Sequence, residues 1–336
     1  MNRQSISRNR NQPAARPCGA FTLIELLVVM AIITLLISIL VPSLVKARDQ
    51  AKMVKTRAML KSISEGLELF RNQNEADRSM QLVSGYPRCA LGEDAAMPDA
   101  QLMVGAHWLV RYLMGLDLKG YAPRSHVPPE LLNPQNPTEE EVRWYENDSQ
   151  GRPLVSRVGP YLDMQGLRIL HTAELPGRPN PIDPVWGTLG ELVFVDQYDN
   201  PVLYYVANPS LSAKSGADPA SYDGTYPGIY TMADNALFTG QGYDMTGLYG
   251  GWDFGGGAGH PLGYFGKEQQ VDPLSIRSIP QSFPCYILDQ EIYSASYNPG
   301  PPPKVTALPC RPESYLLITA GKDELYGTTD DVNNFR

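Results

Sequence analysis

From Phe21 to Val41 the chain runs 21 residues with one charged side chain, Glu25, and that run constrains all that follows. As a helix rising 1.5 Å per residue it measures about 31 Å, enough to cross the hydrocarbon layer of a bilayer. A secretory signal core is shorter, about 7–15 residues, and is discarded. The length therefore favours a segment kept on the mature chain as an anchor. A carboxylate in such a segment must find a cation or stay neutral, which marks Glu25 as functional.

The flanks sharpen this reading. Residues 1–20 hold Arg3, Arg8, Arg10 and Arg16 with no acid, and end in the small pair Gly19-Ala20. Pro42 closes the run, and Lys46, Arg48, Lys52, Lys55, Arg57 and Lys61 follow. Both flanks are basic, so the positive-inside rule gives no orientation. The order Ala20, Phe21, Thr22-Leu23-Ile24, Glu25, apolar run and Pro42 resembles the prepilin-type N-terminal segment of type IV pilins and type II secretion pseudopilins. The family usually has Gly just before the cut; here Ala20 stands there and Gly19 one place earlier.

The resemblance implies that a prepilin peptidase cuts between Ala20 and Phe21 and methylates the new amine. It implies that Glu25 pairs with the N-terminal amine of a neighbouring subunit, setting axial register while the apolar helices pack into a filament core. The implied partners are other copies of the chain, other pseudopilins and an inner-membrane secretion platform. The implied location is the inner membrane, single-pass, with the body on the periplasmic side. On composition alone, Glu25 reads equally well as a side chain snorkelling from an ordinary anchor.

Losing the four leader arginines takes the net charge from −8 to −12, which argues against a nucleic-acid partner. Gly and Pro number 30 each in 336 residues, so much of the body must be turns and loops. Cys18 leaves with the leader, and Cys89, Cys285 and Cys310 contain no CxxC spacing for a metal cluster. A Cys285–Cys310 disulfide and buried free thiols both stay open.

Apolar residues Ala47, Ala51, Val54 and Ala58, then Leu60, Ile63, Leu67 and Phe70, recur at three and four residues. This predicts one helix from about Thr22 to Asn72, half in lipid and half over a core, kinked at Pro42. Val104, Trp108, Leu109, Tyr112, Leu113 and Leu116 predict a second helix over 102–118. Pro-rich stretches around 122–140, 176–184 and 299–312 read as irregular. Residues 191–195 and 202–206 flank Asp196–Pro201 as a hairpin, and 285–288 and 314–319 read as further strands. Asp199-Asn200-Pro201 before Tyr204-Tyr205 is similar to the Gly-Asn-Pro-Tyr hairpin of major pseudopilins, with Asp199 where Gly is usual. Residues 208–268, rich in Gly, Tyr and Asp, read as a loop insertion on the sheet.

Near the C-terminus a strand runs into a loop holding Asp323, Asp330 and Asp331. Three crowded carboxylates repel, and a hard cation with six to eight oxygen ligands would relieve them. The spacing is not an EF-hand, and chemistry alone also permits a solvated acidic turn. The segment Thr319–Asp323 resembles the calcium loop of major pseudopilins, where Ser-x-Gly-x-Asp-Gly ends a strand and more aspartates follow. Glu324 replaces the second Gly. The resemblance implies Ca2+ on Asp323, Asp330 and Asp331.

His107, His126, His171 and His260 are isolated and read as surface or capping groups. The Gly255–Gly259 run lacks the Lys of a P-loop, and no catalytic constellation emerges. The expectation is an α+β chain, with a long N-terminal helix packed on an antiparallel sheet carrying long Pro/Gly-rich loops. Its organisation is a leader at 1–20, a membrane half of the helix at 21–41 and a pilin-like domain at 42–336. That domain takes the second half of the helix at 42–72 and the insertion at 208–268. The expected role is a non-enzymatic structural subunit of a type II secretion pseudopilus. The alternatives are a minor pseudopilin, a type IV pilus subunit or a membrane-tethered binding module that does not polymerise.

Overall fold

The computed structural model describes residues 22–74, 82–83, 85–89, 104–132, 143–175, 192–208, 229–239, 260, 262, 283–296 and 308–336. The chain divides into two units, Met1–Gln50 and Ala51–Arg336. Helix α1, Leu23–Asn74, continues through Pro42 and belongs to both. In the first unit every apolar residue from Leu23 to Val45 is exposed, Leu23 to 82% and Ile39 to 66%. There the helix has no polar face to turn outward and no core to turn inward.

In the second unit α1 becomes one-sided. Met59, Ile63, Leu67 and Phe70 are buried, while Ala51, Val54 and Ala58 are exposed. This corrects the single stripe expected from sequence. Val54 and Ile63 lie nine residues apart, about half a turn out of phase at 3.6 residues per turn, so the two sets occupy opposite faces. Each large side chain on the buried face contributes about 1.5–3 kcal/mol by leaving water.

The buried face meets α2, Gly105–Met114, through Phe70 and Tyr112, whose rings lie edge to face at 5.7 Å. It also meets a three-stranded antiparallel sheet of β5 (Leu203–Val206), β6 (Tyr315–Thr319) and β7 (Val332–Asn333), in the order β5-β6-β7. Registers Tyr204↔Leu317 and Val206↔Tyr315 bring Tyr204, Val206, Tyr315 and Leu317 into the core shared with α1. The alternate residues Leu203, Tyr205, Leu316 and Ile318 enter a second core with Tyr230, Phe238, Phe283 and Tyr286. Both faces are covered, which is why these strands read as continuous apolar runs. The fold is α+β, a long helix with antiparallel sheets.

The remaining strands pair locally: β1 (Leu82–Val83) with β2 (Tyr86–Pro87), and β3 (Ile169–His171) with β4 (Leu192–Phe194). The predicted hairpin forms at its tip, where Asp196 N donates to Asn200 O at 2.9 Å and Val202 N to Phe194 O at 2.8 Å. Beyond the tip its arms separate, β4 to β3 and β5 to β6. Val195 N turns instead to Arg168 O at 2.9 Å, and Pro201 has no N–H to extend the ladder.

Three further expectations change. Residues 283–286 form a helical turn, α4 (Phe283–Tyr286), with Pro284 in its first turn where a missing N–H is tolerated. Only Leu288 of the expected strand bridges, to Pro309. The Pro-rich stretch after Ala122 holds 3-10 turns at Arg124–His126 and Pro129–Leu131. Inside the expected insertion, a 3-10 turn at Met232–Asn235 leads into α3 (Ala236–Thr239), and both pack on the sheet. Residue 208 leads the insertion; 209–228 and 240–259 lie outside the described residues, as do the loop at 176–184 and the Gly255–Gly259 run. Helix α5, Gln290–Ser296, follows α4.

Candidate functional sites: a helix-start carboxylate and an acidic loop

Ala20 and Phe21 lie outside the described residues; Thr22 and Glu25 are within them. Thr22 N donates to Glu25 Oε2 at 2.9 Å, and Thr22 Oγ1 donates to the same oxygen at 2.8 Å. Glu25 N donates back to Thr22 Oγ1 at 3.3 Å. This reciprocal pattern is a capping box, in which the carboxylate satisfies donors left open at a helix start. Leu23 and Ile24 beside it are exposed, so the carboxylate lies among bare apolar side chains. Among the described residues α1 is the one helix long and apolar enough to cross a membrane.

The second site lies between β6 and β7. Carboxylate oxygens of Asp323, Asp330 and Asp331 fall within 4.8 Å of one another. Calcium holds oxygens at 2.3–2.6 Å, so ligands on opposite sides of one ion are separated by about 4.6–5.2 Å, and the set fits. Backbone donors fix the carboxylates. Lys322 N and Asp323 N donate to Asp330 Oδ2 at 2.8 and 3.0 Å, Gly327 N to Asp331 Oδ2 at 2.8 Å, and Leu325 N to Asp323 Oδ1 at 2.9 Å. Thr328 Oγ1 donates to Asp330 Oδ1 at 2.7 Å. Gly321 makes the turn possible: its φ is +70°, and a Cβ there would sit 2.3 Å from the Asp330 carbonyl.

The turn at 196–201 supports this loop. Asp196 Oδ1 accepts from Tyr198 N and Asn200 N at 2.7 and 3.0 Å, and Asn200 Nδ2 donates to Gly321 O at 2.7 Å. Sequence reasoning found both segments and missed that Asn200 joins them. Asp199 and Glu324, which replace glycines of the resembled motifs, have φ of +69° and +62°. The backbone keeps the conformation that glycine favours at both places.

Burial pushes the Asp331 carboxyl up to about 7, against the Gly327 N–H that favours its ionised form. Burial likewise raises Asp323. For Asp330, burial is outweighed by the Thr328 hydroxyl and the N–H groups of Asp323 and Lys322, and its value falls. One ionised acid beside two that resist ionisation is an arrangement that a hard cation would relieve. Asp331 also lines a cleft of about 730 Å³ with Arg57, Tyr286, Asp289, Phe335 and Arg336.

His126 and His107 take the surface and capping places expected of them, and His260 departs from both. His126 is exposed, with Nδ1 at 3.1 Å from Ser156 O. His107 caps α2, where its Nδ1 accepts Val104 N at 3.2 Å, but it is buried. His260 is buried as well, accepts Tyr326 N at 3.2 Å, and burial lowers its pKa to about 4. Cys89, Cys285 and Cys310 are buried thiols that form no disulfide with one another.

Residues 15–41 match the model for the prokaryotic N-terminal methylation motif. The chain carries a prepilin-type start. The match covers the exposed apolar half of α1 together with Thr22 and Glu25, and it supports a pilin-like class of membrane-anchored structural subunit. No curated protein and no solved structure matches the chain.

Proposed function

We propose that this protein is a structural subunit of a type II secretion pseudopilus, assembled through α1 in the inner membrane with its body on the periplasmic side. The observation that carries the proposal is an apolar helix half, exposed on every side and holding one carboxylate, within a methylation motif. Prepilin peptidase cuts Ala20–Phe21 and methylates the Phe21 amine. Glu25 then exchanges its own Thr22 donors for the amine of the next copy, so that two charges neutralise each other in an apolar filament core. Other copies, other pseudopilins and the secretion platform are the partners.

In the body, Asp323, Asp330 and Asp331 hold Ca2+, which offsets two of their three negative charges and locks β6 to β7. The 336-residue length, large beside a usual major pseudopilin, favours a minor subunit within this reading.

The test is Glu25→Ala with cysteine crosslinking of subunits in membranes. Loss of crosslinked ladders, with the monomer still membrane-bound, is expected. Ladders at the wild-type level would remove the assembly role and leave a tethered binding module. Filaments that serve a surface pilus and leave secretion unaffected would move the protein to the type IV pilus.

A further inference from the structure

Among the described residues β5 has a partner strand, β6, on one side alone, so its other edge would present the Tyr204 carbonyl and Val206 N–H as open ladder positions. Side chains close this edge. Asn235 Nδ2 donates to Tyr204 O at 2.7 Å, and Val206 N donates to Cys89 Sγ at 3.2 Å. Asn235 Oδ1 also accepts Ala106 N, in the first turn of α2, at 3.0 Å. The Cys89 thiol donates to Asp234 Oδ2 at 2.7 Å. Two adjacent residues thus pin segment 229–239 to the end of β2, to the start of α2 and to β5. The approach is close, since a Cβ on Gly105 would lie 2.1 Å from Tyr204 O.

Asp234 is buried, and among the described residues no ion pair reaches it. Among the described residues, the titratable groups whose fields meet it are the Cys89 thiol and the Tyr204 and Tyr205 phenols, all uncharged at neutral pH. On α2, His107 bonds Val104 N and Thr172, and Arg111 stacks on Trp108 at 4.7 Å. Arg88, next to Cys89, also faces the Trp108 ring, and α3 brings no titratable side chain. Burial holds the Asp234 carboxyl up to about 7, with the Cys89 thiol opposing.

We propose that Asp234, Asn235 and Cys89 form an acid-tightened latch, which seals the open edge of β5 with segment 229–239 and loosens as Asp234 gives up its proton. The closed form holds that proton up to about pH 7, whereas an opened, hydrated Asp234 releases it near pH 4. The open fraction therefore grows by up to about tenfold per pH unit between these values and levels off above them. Opening takes Asn235 from Tyr204 O and bares that carbonyl to pairing with another strand.

The test is amide hydrogen exchange of the full chain in detergent from pH 5 to 8, with rates divided by the intrinsic exchange rate at each pH. Protection of 229–239 is expected to fall toward pH 7 by up to about tenfold per unit and then flatten. In Asp234→Asn it is expected to stay flat. Equal protection at pH 5 and 7 in the wild type, the same slope in Asp234→Asn, or a loss shared by the whole body would overturn the latch. Should Asp234→Asn not fold, alkylation of wild-type Cys89 relative to Cys285 in the same molecule decides. The ratio is expected to climb from pH 5 to 7, and a constant ratio refutes the proposal.

Discussion

Ile33 and Ile63 lie on one uninterrupted helix, yet Ile33 is 43% exposed and Ile63 is 0% exposed. Around Ile33 every neighbour on α1 is as bare as it is; around Ile63 a core of helix and sheet has closed. The two halves share a backbone geometry and differ in what is meant to cover them. For the second half this chain supplies the cover. For the first, an apolar helix with no polar side calls for a medium other than water, supplied by lipid or by other helices.

The sharpest way to break that contrast is truncation at matching positions. Leu67→Ala is expected to lower the stability of the body by about 2–5 kcal/mol, measured by urea unfolding in detergent. Ile33→Ala is expected to leave the same transition in place. Equal shifts would mean that the halves are not energetically distinct.

Calcium should likewise act on the body alone. At a concentration a hundredfold above its dissociation constant it would stabilise by about 2.7 kcal/mol. Chelator and Asp323→Ala should each remove that gain in a thermal melt, while the helicity of the anchor half stays put. A melt indifferent to both would remove the ion from the loop.

Acid should oppose the ion. Because Asp331 holds its proton up to about pH 7, calcium must displace it below that value. Affinity is therefore expected to weaken by up to about tenfold per pH unit as pH falls below 7, by calorimetric titration at pH 6 and 8. The smallest effect concerns backbone strain. Glu324→Gly should stabilise the body by about 1 kcal/mol by relieving a positive φ. Asp199→Gly should gain less, because it also gives up the half-exposed ion pair with Arg168, worth about 0–1 kcal/mol.

Much of this was legible in the residues themselves. One unbroken apolar run fixed α1, and the acids after a continuous apolar strand marked the loop. Asp199 and Glu324 stood out as departures from motifs, and positive φ explains why glycine is the usual residue at both places. What escaped was long-range. Nothing local tells Ala51 and Val54 from Ile63 and Leu67 as outer and inner faces, because periodicity carries no absolute phase. Nor does the hairpin turn reveal that Arg168 draws β4 away to β3. The second core stayed hidden because its cover, at 229–239 and at Tyr286 and Ile287, comes from sequence that reads as loop and as strand.

Intact-mass and N-terminal sequence determination on protein purified from its native membrane tests the central claim most directly. The account predicts a chain beginning at N-methylated Phe21, with Glu25 and the whole apolar run retained. A native chain that starts at Met1, or well beyond Val41, would contradict it.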